Sequence, residues 1–237
     1  MANMQEKTFG PQTILFDPEH FTHPEPDIFN GSFWHSQSKV LGEAKGRGTT
    51  YFFQHNKQEY VLRHYLRGGL IGKIIHDQYV FNGLNNTRAW QEFKLLQHML
   101  ELGLACPKPV AAQITKTGLL YRADIILAKI KQAIDVFNIL LTDKISEKIW
   151  QDIGKTIAQF HQQNIYHHDL NIHNIMLDSQ NKVWLIDFDK CYVKQGTDWQ
   201  QENLSRLHRS FEKEKRLKNI QWQESDWIKL MLGYQSI

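Results

Sequence analysis

The spacing of apolar and polar positions changes from strand-like to mainly helical near residue 130. Residues 59–65 alternate between the two classes, and residues 110–114 and 119–130 are apolar runs on either side of a polar turn, so all three segments predict β-strands. Apolar positions recur at helical spacing from Thr87 to Gly103 and again after Ser146, which can cap the second helix. A strand-rich half followed by a helical half predicts an α+β fold.

A shorter pair of apolar runs lies at residues 175–177 and 183–186, with the polar residues 178–182 between them. This pattern predicts a β-hairpin that brings Asn174 close to Asp187. Asp169 lies five residues before Asn174. A carboxylate can orient an attacking hydroxyl, while an amide and a second carboxylate can hold Mg²⁺ against a polyphosphate. The spacing therefore favours phosphoryl transfer, with Asp169 as catalytic residue and Asn174 and Asp187 as metal ligands.

Two other interpretations of this stretch stay open. An aspartate in a loop before a hairpin is usually a turn residue or a helix cap. The histidines and the aspartate could instead be ligands of a metal-dependent phosphohydrolase, and these residues are His161, His167, His168, Asp169 and His173. Sites of that second type normally lie on an all-helical frame, whereas these residues adjoin predicted strands.

Residues 167–174 and 187–189 resemble the H-R-D-x-x-x-x-N and D-F-G signatures of the protein-kinase-like superfamily. The chain departs from the pattern at His168, Asn171 and Asp189, where protein kinases carry arginine, lysine and glycine. These departures favour a small-molecule acceptor over a protein. The resemblance implies a two-lobed fold, with an N-terminal antiparallel sheet plus one helix and a mainly helical C-terminal lobe.

The same resemblance implies a nucleotide site in the N-terminal half. Val61 would face the adenine, Arg63 would replace the usual lysine, and Glu92 on the predicted helix would pair with Arg63. Residues 127–130 would form the adenine-binding hinge, which includes Lys129. A glycine-rich turn ahead of a strand would cover the phosphates and consists of Gly46, Arg47 and Gly48. The second glycine group, residues 68–73, has the wrong spacing for a P-loop.

Composition sets limits on these interpretations. A chain of 237 residues is long enough for two lobes, which we place at residues 1–130, with an irregular N-terminal arm at residues 17–27, and 131–237. The net charge of +3 is small, and no nucleic-acid recognition motif accompanies it. Cys106 and Cys191 lie far apart and make neither a zinc site nor a disulfide framework, which indicates a reducing, cytoplasmic compartment. No apolar run approaches the length of a membrane span, so membrane contact is expected to be peripheral.

Several stretches together are similar to the Kdo (3-deoxy-D-manno-octulosonic acid) kinase family of lipopolysaccharide assembly. They are residues 46–48, 61–65, 67–69, 121–124, 168–174, 185–189 and 203–207. The resemblance implies transfer of the ATP γ-phosphate, with Mg²⁺, to the 4-OH of Kdo on a lipid A precursor. It also implies a peripheral position on the cytoplasmic face of the inner membrane. The sequence itself gives no sign of an obligate protein partner.

The C-terminal segment adds a basic stripe at helical spacing, made of Arg206, Arg209, Lys213 and Arg216. Leu204, Leu207 and Phe211 form an apolar stripe, and Trp199, Trp222 and Trp227 are candidate anchors at an anionic membrane surface. Three function classes stay open: a peripheral-membrane sugar kinase, a soluble phosphotransferase resembling aminoglycoside and choline kinases, and a nucleotide-binding pseudokinase. A nucleic-acid binder is a distant fourth.

Overall fold

The structure, a computed structural model, describes residues 4–45, 48–67 and 77–237. The chain forms two compact units, Met1–Gln97 with Lys108–Lys129 and His98–Pro107 with Ile130–Ile237. These units differ from the predicted division at residue 130 mainly in one segment, since His98–Pro107 belongs to the second unit. The Leu185 N–H there donates to the Ala105 carbonyl at 3.0 Å and ties this segment to a strand of the second unit.

The first unit is built on an eight-stranded antiparallel sheet whose main path runs β1-β2-β7-β8-β5-β4-β3, with β6 paired to β8. The strands are β1 Gln5–Phe9, β2 Gln12–Phe16, β3 Val40–Lys45, β4 Thr49–His55, β5 Gln58–His64, β6 Tyr79–Val80, β7 Pro109–Thr117 and β8 Leu120–Ala128. The predicted pair at 110–114 and 119–130 is present as β7 and β8, joined at Gly118, whose φ of +60° suits glycine in a tight turn. Alternate residues of β5 are buried, as its pattern predicts.

Within the described residues, the first unit also contains one short α-helix and most of a longer one. Helix α1 (Gly31–Ser36), which the sequence did not predict, is capped by Asn30, whose side chain accepts the Ser32 N–H at 3.0 Å. Helix α2 (Arg88–Glu101) follows Thr87 as predicted and buries Phe93. Short 3₁₀ helices lie at Pro26–Phe29 and Leu84–Asn86.

The residues before the expected arm form two strands that the sequence did not predict. β1 and β2 form a hairpin, and β2 pairs with β7 from Gln12↔Thr115 to Phe16↔Ala111. Residues 17–25 are irregular, as the prolines suggest, but Phe21 and Ile28 enter the core of the first unit. The expected arm at residues 17–27 therefore contains no strand, as predicted, but it packs into the core of the first unit.

The second unit is mainly helical. Its elements are β9 Ile134–Asp135, α3 Val136–Thr142, α4 Glu147–Gln162, β10 Ile165–Tyr166, a 3₁₀ helix Ile172–Asn174, β11 Ile175–Leu177, β12 Val183–Leu185, β13 Tyr192–Val193, α5 Asp198–Lys218 and α6 Glu224–Tyr234. Ser146 caps α4 by accepting the Ile149 N–H at 3.5 Å, and the predicted hairpin is β11–β12. These features confirm the predicted α+β class, with an N-terminal antiparallel sheet and a helical C-terminal part.

Helices α4 and α6 pack unusually closely in this unit. A Cβ added at Gly154 would collide with the Leu230 carbonyl oxygen, and one at Gly233 would collide with the Gln151 carbonyl oxygen. The crossing therefore depends on both glycines, because backbone meets backbone there. Within the described ranges, no helix is long and apolar enough to span a bilayer.

Candidate active site

The loop that carries Asp169 connects β10 to the 3₁₀ helix Ile172–Asn174. Two side-chain amides hold it, since Asn171 Nδ2 donates to the Asp169 carbonyl at 3.0 Å and Asn174 Nδ2 donates to the same oxygen at 2.8 Å. Asn171 also caps the 3₁₀ helix by accepting the His173 N–H. Leu170 is buried, whereas the Asp169 side chain is 52% exposed. The backbone is therefore fixed while the carboxylate projects into solvent.

His167 links this loop to the segment before Asp187. Its ring is buried, and Nε2 donates to the Ile186 carbonyl at 2.9 Å. Burial lowers the pKa of His167 below its ordinary value, so the ring is neutral near pH 7 and keeps its proton on Nε2 for that bond. Phe188 packs on the His167 ring at 4.9 Å. The two motifs are thus held together by one imidazole.

Asn174 and Asp187 lie at the same end of the β11–β12 hairpin. The Ile186 N–H donates to the Asn174 carbonyl at 3.0 Å, which places Asp187 directly after the residue that faces Asn174. Asp187 has a φ of +64°, a left-handed conformation that is unusual for a residue with a Cβ and is often found at functional sites. The Asn174 amide oxygen and the Asp187 carboxylate are hard oxygen donors, which is the ligand chemistry that Mg²⁺ prefers.

Arg206 on α5 contacts the candidate catalytic carboxylate directly. Its Nη1 donates to Asp169 Oδ1 at 2.6 Å, and its side chain is 46% exposed. Two further side chains of α5 hold the same loop. Asn203 brackets the His167 peptide, accepting its N–H at 3.3 Å and donating to its carbonyl at 3.1 Å, and Ser210 Oγ accepts the Ile172 N–H at 3.0 Å.

From the sequence alone, Asn203 and Arg206 belonged to the family-like stretch 203–207 and Arg206 also to a basic stripe, but no contact with the Asp169 loop was predicted for Asn203, Arg206 or Ser210. A signal was available, because these positions are spaced i, i+3 and i+7 and therefore share one face of a helix. Asn203 also lies four residues before Leu207, on the apolar stripe. A buried amide on an apolar stripe requires hydrogen-bond partners, and here the loop backbone supplies them.

In the first unit, the predicted ion pair between Arg63 and Glu92 is present. Arg63 Nη2 lies 2.5 Å from both carboxylate oxygens of Glu92, and the Tyr65 hydroxyl donates to Oε2 at 2.6 Å. Glu92 is 2% exposed, so it is not the solvated surface charge that position alone would suggest. Burial raises the pKa of Tyr65 well above its ordinary value, aided by the Glu92 charge, so the hydroxyl stays a donor.

Of the other predicted nucleotide residues, Val61, Gly48 and Lys129 are described, and all three belong to the first unit. Val61 is half-buried on the same face of β5 as Arg63. A Cβ at Gly48 would collide with the Leu66 side chain. Gly46 and Arg47, like the second glycine group at 68–73, lie outside the described residues.

Lys129 is engaged through both its backbone and its side chain. Its N–H donates to the Glu59 carbonyl at 2.9 Å, and its Nζ lies 2.6 Å from Glu59 Oε2. The Ala128 N–H likewise donates to the Lys108 carbonyl. These two N–H groups of the predicted hinge are therefore used by backbone carbonyls of the first unit.

The histidines of the alternative metal site do not converge. His161 Nδ1 bonds the Tyr234 hydroxyl at 2.8 Å, His167 bonds Ile186, and His173 lies 3.6 Å from Glu214. In the part of the chain that the structure describes, the only grouping with metal-ligating geometry is His208, Glu212 and Glu224. The His-Asp hydrolase interpretation therefore lacks its ligand set.

The prediction that three tryptophans anchor the protein at a membrane is wrong for two of them. Trp199 is 4% and Trp222 is 1% exposed, so both belong to the core of the second unit, and only Trp227 is partly exposed. Trp222 stacks on Phe211 at 5.6 Å, which explains its burial. The apolar stripe of Leu204, Leu207 and Phe211 is buried. On the basic stripe, Lys213 is an exposed charge, with 62% of its side chain accessible.

Comparison with known proteins adds independent findings. Residues 31–234 match the model of the lipopolysaccharide kinase (Kdo/WaaP) family. The chain is 44% identical to a Vibrio vulnificus (strain CMCP6) protein named 3-deoxy-D-manno-octulosonic acid kinase, over 98% of this chain and 99% of that protein. It is 46% identical to a protein of the same name from Photobacterium profundum, over 98% of each. Among solved structures it is similar to the Cydia pomonella granulovirus kinase PK-1, with a TM-score of 0.45 and 16% identity over 71% of this chain and 58% of that chain.

Proposed function

Because the chain belongs to the lipopolysaccharide kinase (Kdo/WaaP) family, we propose that it transfers the γ-phosphate of ATP to the 4-OH of Kdo on a lipid A precursor. Membership of a kinase family implies ATP as the donor. The observation that supports this reaction best is the anchored loop from which Asp169 projects, joined through His167 to the segment of Asp187.

Asp169 orients the acceptor hydroxyl and accepts its proton. The acceptor oxygen forms a bond to the γ-phosphorus, the bond between that phosphorus and the bridging oxygen breaks, and ADP leaves with the electron pair. The proton passes from the acceptor oxygen to the Asp169 carboxylate and then to solvent. Because the backbone of Asp169 is held by Asn171 and Asn174, the carboxylate needs little reorganisation during this step.

Asn174 and Asp187 are the residues that would hold Mg²⁺. When bound, Mg²⁺ supplies positive charge that neutralises the phosphate oxygens during transfer. The neutral His167 keeps the peptide before Asp187 in place, and this supports the left-handed backbone that presents the Asp187 carboxylate.

The nucleotide is recognised by residues of the first unit. Arg63 contacts the phosphates while Glu92, which also accepts the Tyr65 hydroxyl, holds its guanidinium, and Val61 packs on the adenine. The remaining contacts are assigned to Lys129 and to Gly46, Arg47 and Gly48.

The acceptor is lipid-linked, so we infer that the protein works at the cytoplasmic face of the inner membrane without spanning it. The basic side chains of α5 support this position, since each can contribute on the order of 1 kcal/mol near anionic headgroups. With Trp199 and Trp222 buried, this contact depends on the charges of Arg209, Lys213 and Arg216 more than on aromatic anchors.

The test supplies radiolabelled ATP and Mg²⁺ with four acceptors: lipid A precursor without Kdo, the same lipid with one Kdo, free Kdo and an aminoglycoside. We expect label on the Kdo-bearing lipid, one phosphate per sugar at the 4-OH, and much less on free Kdo. Label on the aminoglycoside with the Kdo lipid untouched would favour a soluble phosphotransferase. ATP binding without any transfer would favour a pseudokinase. Protein carrying Asp169→Asn, prepared in parallel, controls for a contaminating kinase.

A further inference from the structure

One face of α5 contacts the loop around Asp169 at three successive points. Asn203 holds the His167 peptide, Arg206 holds the Asp169 carboxylate, and Ser210 holds the Ile172 N–H. Asn203 is buried, whereas Arg206 is about half exposed. Arg206 is therefore the side chain of this face that can contact a bound molecule while it still contacts Asp169.

The guanidinium of Arg206 has more donors than Asp169 uses. Arginine carries five N–H groups in a planar fork, and the structure assigns one nitrogen, Nη1, to Asp169 Oδ1. Among the described residues, Asp169 is its one ion-pair partner. The other edge of such a fork fits a second carboxylate, and arginine recognises carboxylates through paired hydrogen bonds.

A neutral sugar would gain little from such a cation, whereas an acidic sugar would gain a charge-assisted contact. Asp169 itself is negatively charged when it orients a hydroxyl, so an acidic acceptor would otherwise meet repulsion at this position. An arginine shared between the two carboxylates removes that repulsion. Its placement on a helix fixed by Asn203 and Ser210 also fixes the distance between the acid group and the reacting hydroxyl.

We propose that Arg206 determines specificity for an acidic sugar by binding the acceptor's carboxylate while it holds Asp169. The inference rests on the proposed function, and it adds the residue that distinguishes the acid sugar from a neutral one. Arg209 lies one turn further along α5, and the ion pair of Asp169 is with Arg206 rather than with Arg209. Arg209 therefore serves as a matched control on the same helix.

The experiment compares two acceptors, the Kdo-bearing lipid A precursor and the same lipid with the Kdo carboxylate converted to a primary amide. Values of kcat/KM are measured for both lipids in detergent at saturating ATP. The proteins are wild type, Arg206→Gln, Arg206→Lys and Arg209→Gln. The ratio of the two values within one protein cancels any effect of the substitution on Asp169 that both acceptors share. The KM for ATP and the thermal unfolding midpoint verify that each variant is folded and binds nucleotide.

We expect wild type and Arg209→Gln to prefer the acid by roughly 10- to 100-fold, the range for a hydrogen bond between charged groups. Arg206→Gln should lose that preference, with a ratio near one, and Arg206→Lys should keep part of it because the charge remains without the fork. An acid preference in Arg206→Gln equal to that of wild type would overturn the inference and leave the proposed function intact, as would equal use of both lipids by wild type. If wild type phosphorylated neither lipid, the proposed function would fail and this inference with it.

Discussion

The two units each contain an arginine–carboxylate pair of nearly the same length but in different surroundings. In the first unit, Arg63 lies 2.5 Å from Glu92, whose side chain is 1% exposed and also accepts the Tyr65 hydroxyl. In the second unit, Arg206 lies 2.6 Å from Asp169, whose side chain is 52% exposed. Breaking a buried pair leaves an unsolvated charge and costs about 3–5 kcal/mol, whereas exposed pairs contribute about 0–1 kcal/mol.

This difference in exposure suggests a different role for each arginine–carboxylate pair. The buried pair has a fixed geometry, because neither partner gains from moving to water. The exposed pair can change partners at little cost, which suits a carboxylate that must receive a substrate hydroxyl. We therefore expect changes to the first pair to affect stability and nucleotide binding, and changes to the second to affect transfer.

The largest expected effect comes from Asp169→Asn in the exposed pair. The amide cannot accept the acceptor proton as a carboxylate does, so phosphoryl transfer should fall by roughly 10² to 10⁴-fold. Single-turnover transfer to the Kdo lipid measures this loss, and the thermal midpoint should stay close to wild type because the side chain is half exposed. Near-normal turnover would show that another residue is the base.

Disrupting the buried pair should reduce stability and nucleotide binding, whereas disrupting the exposed pair should reduce transfer. Glu92→Ala leaves the Arg63 guanidinium without its counter-charge, so the free energy of unfolding should fall by about 3–5 kcal/mol. The apparent KM for ATP should rise in the protein that remains folded. Urea unfolding and ATP titration of initial rates measure the two effects. Glu101→Ala, an exposed change on the same helix, is the control, and unchanged ATP kinetics in the Glu92 variant would contradict the nucleotide role of the pair.

His161 extends the comparison to a buried ionisable group whose partner is neutral. Its ring bonds the Tyr234 hydroxyl rather than a carboxylate. Burial lowers the pKa of His161 to about 4. The unfolded chain binds the proton near pH 6.5, so the stability that the neutral ring contributes is present above that pH and is lost as pH falls toward 4. The loss is on the order of 3 kcal/mol. Unfolding free energies from pH 7.5 to 4.5 should fall less steeply in His161→Gln; equal slopes would contradict the assignment.

The smallest effect is expected for the stability of Arg206→Gln. The pair with Asp169 is half exposed and screened by salt, so unfolding free energy should change by about 1 kcal/mol or less. Urea unfolding at low and at physiological salt measures this value. A loss as large as that of Glu92→Ala would mean that both pairs are structural, and the proposed division of roles would not hold.

Local patterns predicted a large part of this architecture. The β11–β12 hairpin, the Ser146 cap and the apolar stripe of α5 depend on neighbours a few residues apart, and periodicity records those directly. The pair of Arg63 with Glu92 could also be predicted, because the superfamily resemblance supplied the register between a strand and a helix 29 residues apart.

Contacts between segments that are distant in sequence could not be predicted from such patterns. The pairing of β2 with β7 joins residues about 100 positions apart, a separation that local periodicity does not report. The burial of Trp199 and Trp222 and the contact of Arg206 with Asp169 depend on how α5 packs, which apolar periodicity does not specify beyond one face. The role of Arg206 in particular required the position of a loop 37 residues earlier.

The N-terminal hairpin has a consequence for handling the protein. β2 occupies the side of β7 opposite to β8, so β7 is an interior strand. A protein trimmed to the residues matched by the family, 31–234, would lose β1 and β2. The row of N–H and C=O groups on β7 would then be an open edge, which is a template for pairing with other chains. Residues 5–16 therefore cover β7 and make the polar strand β1, which carries Glu6 and Lys7, the edge of the sheet, and charged edge strands disfavour pairing with other chains.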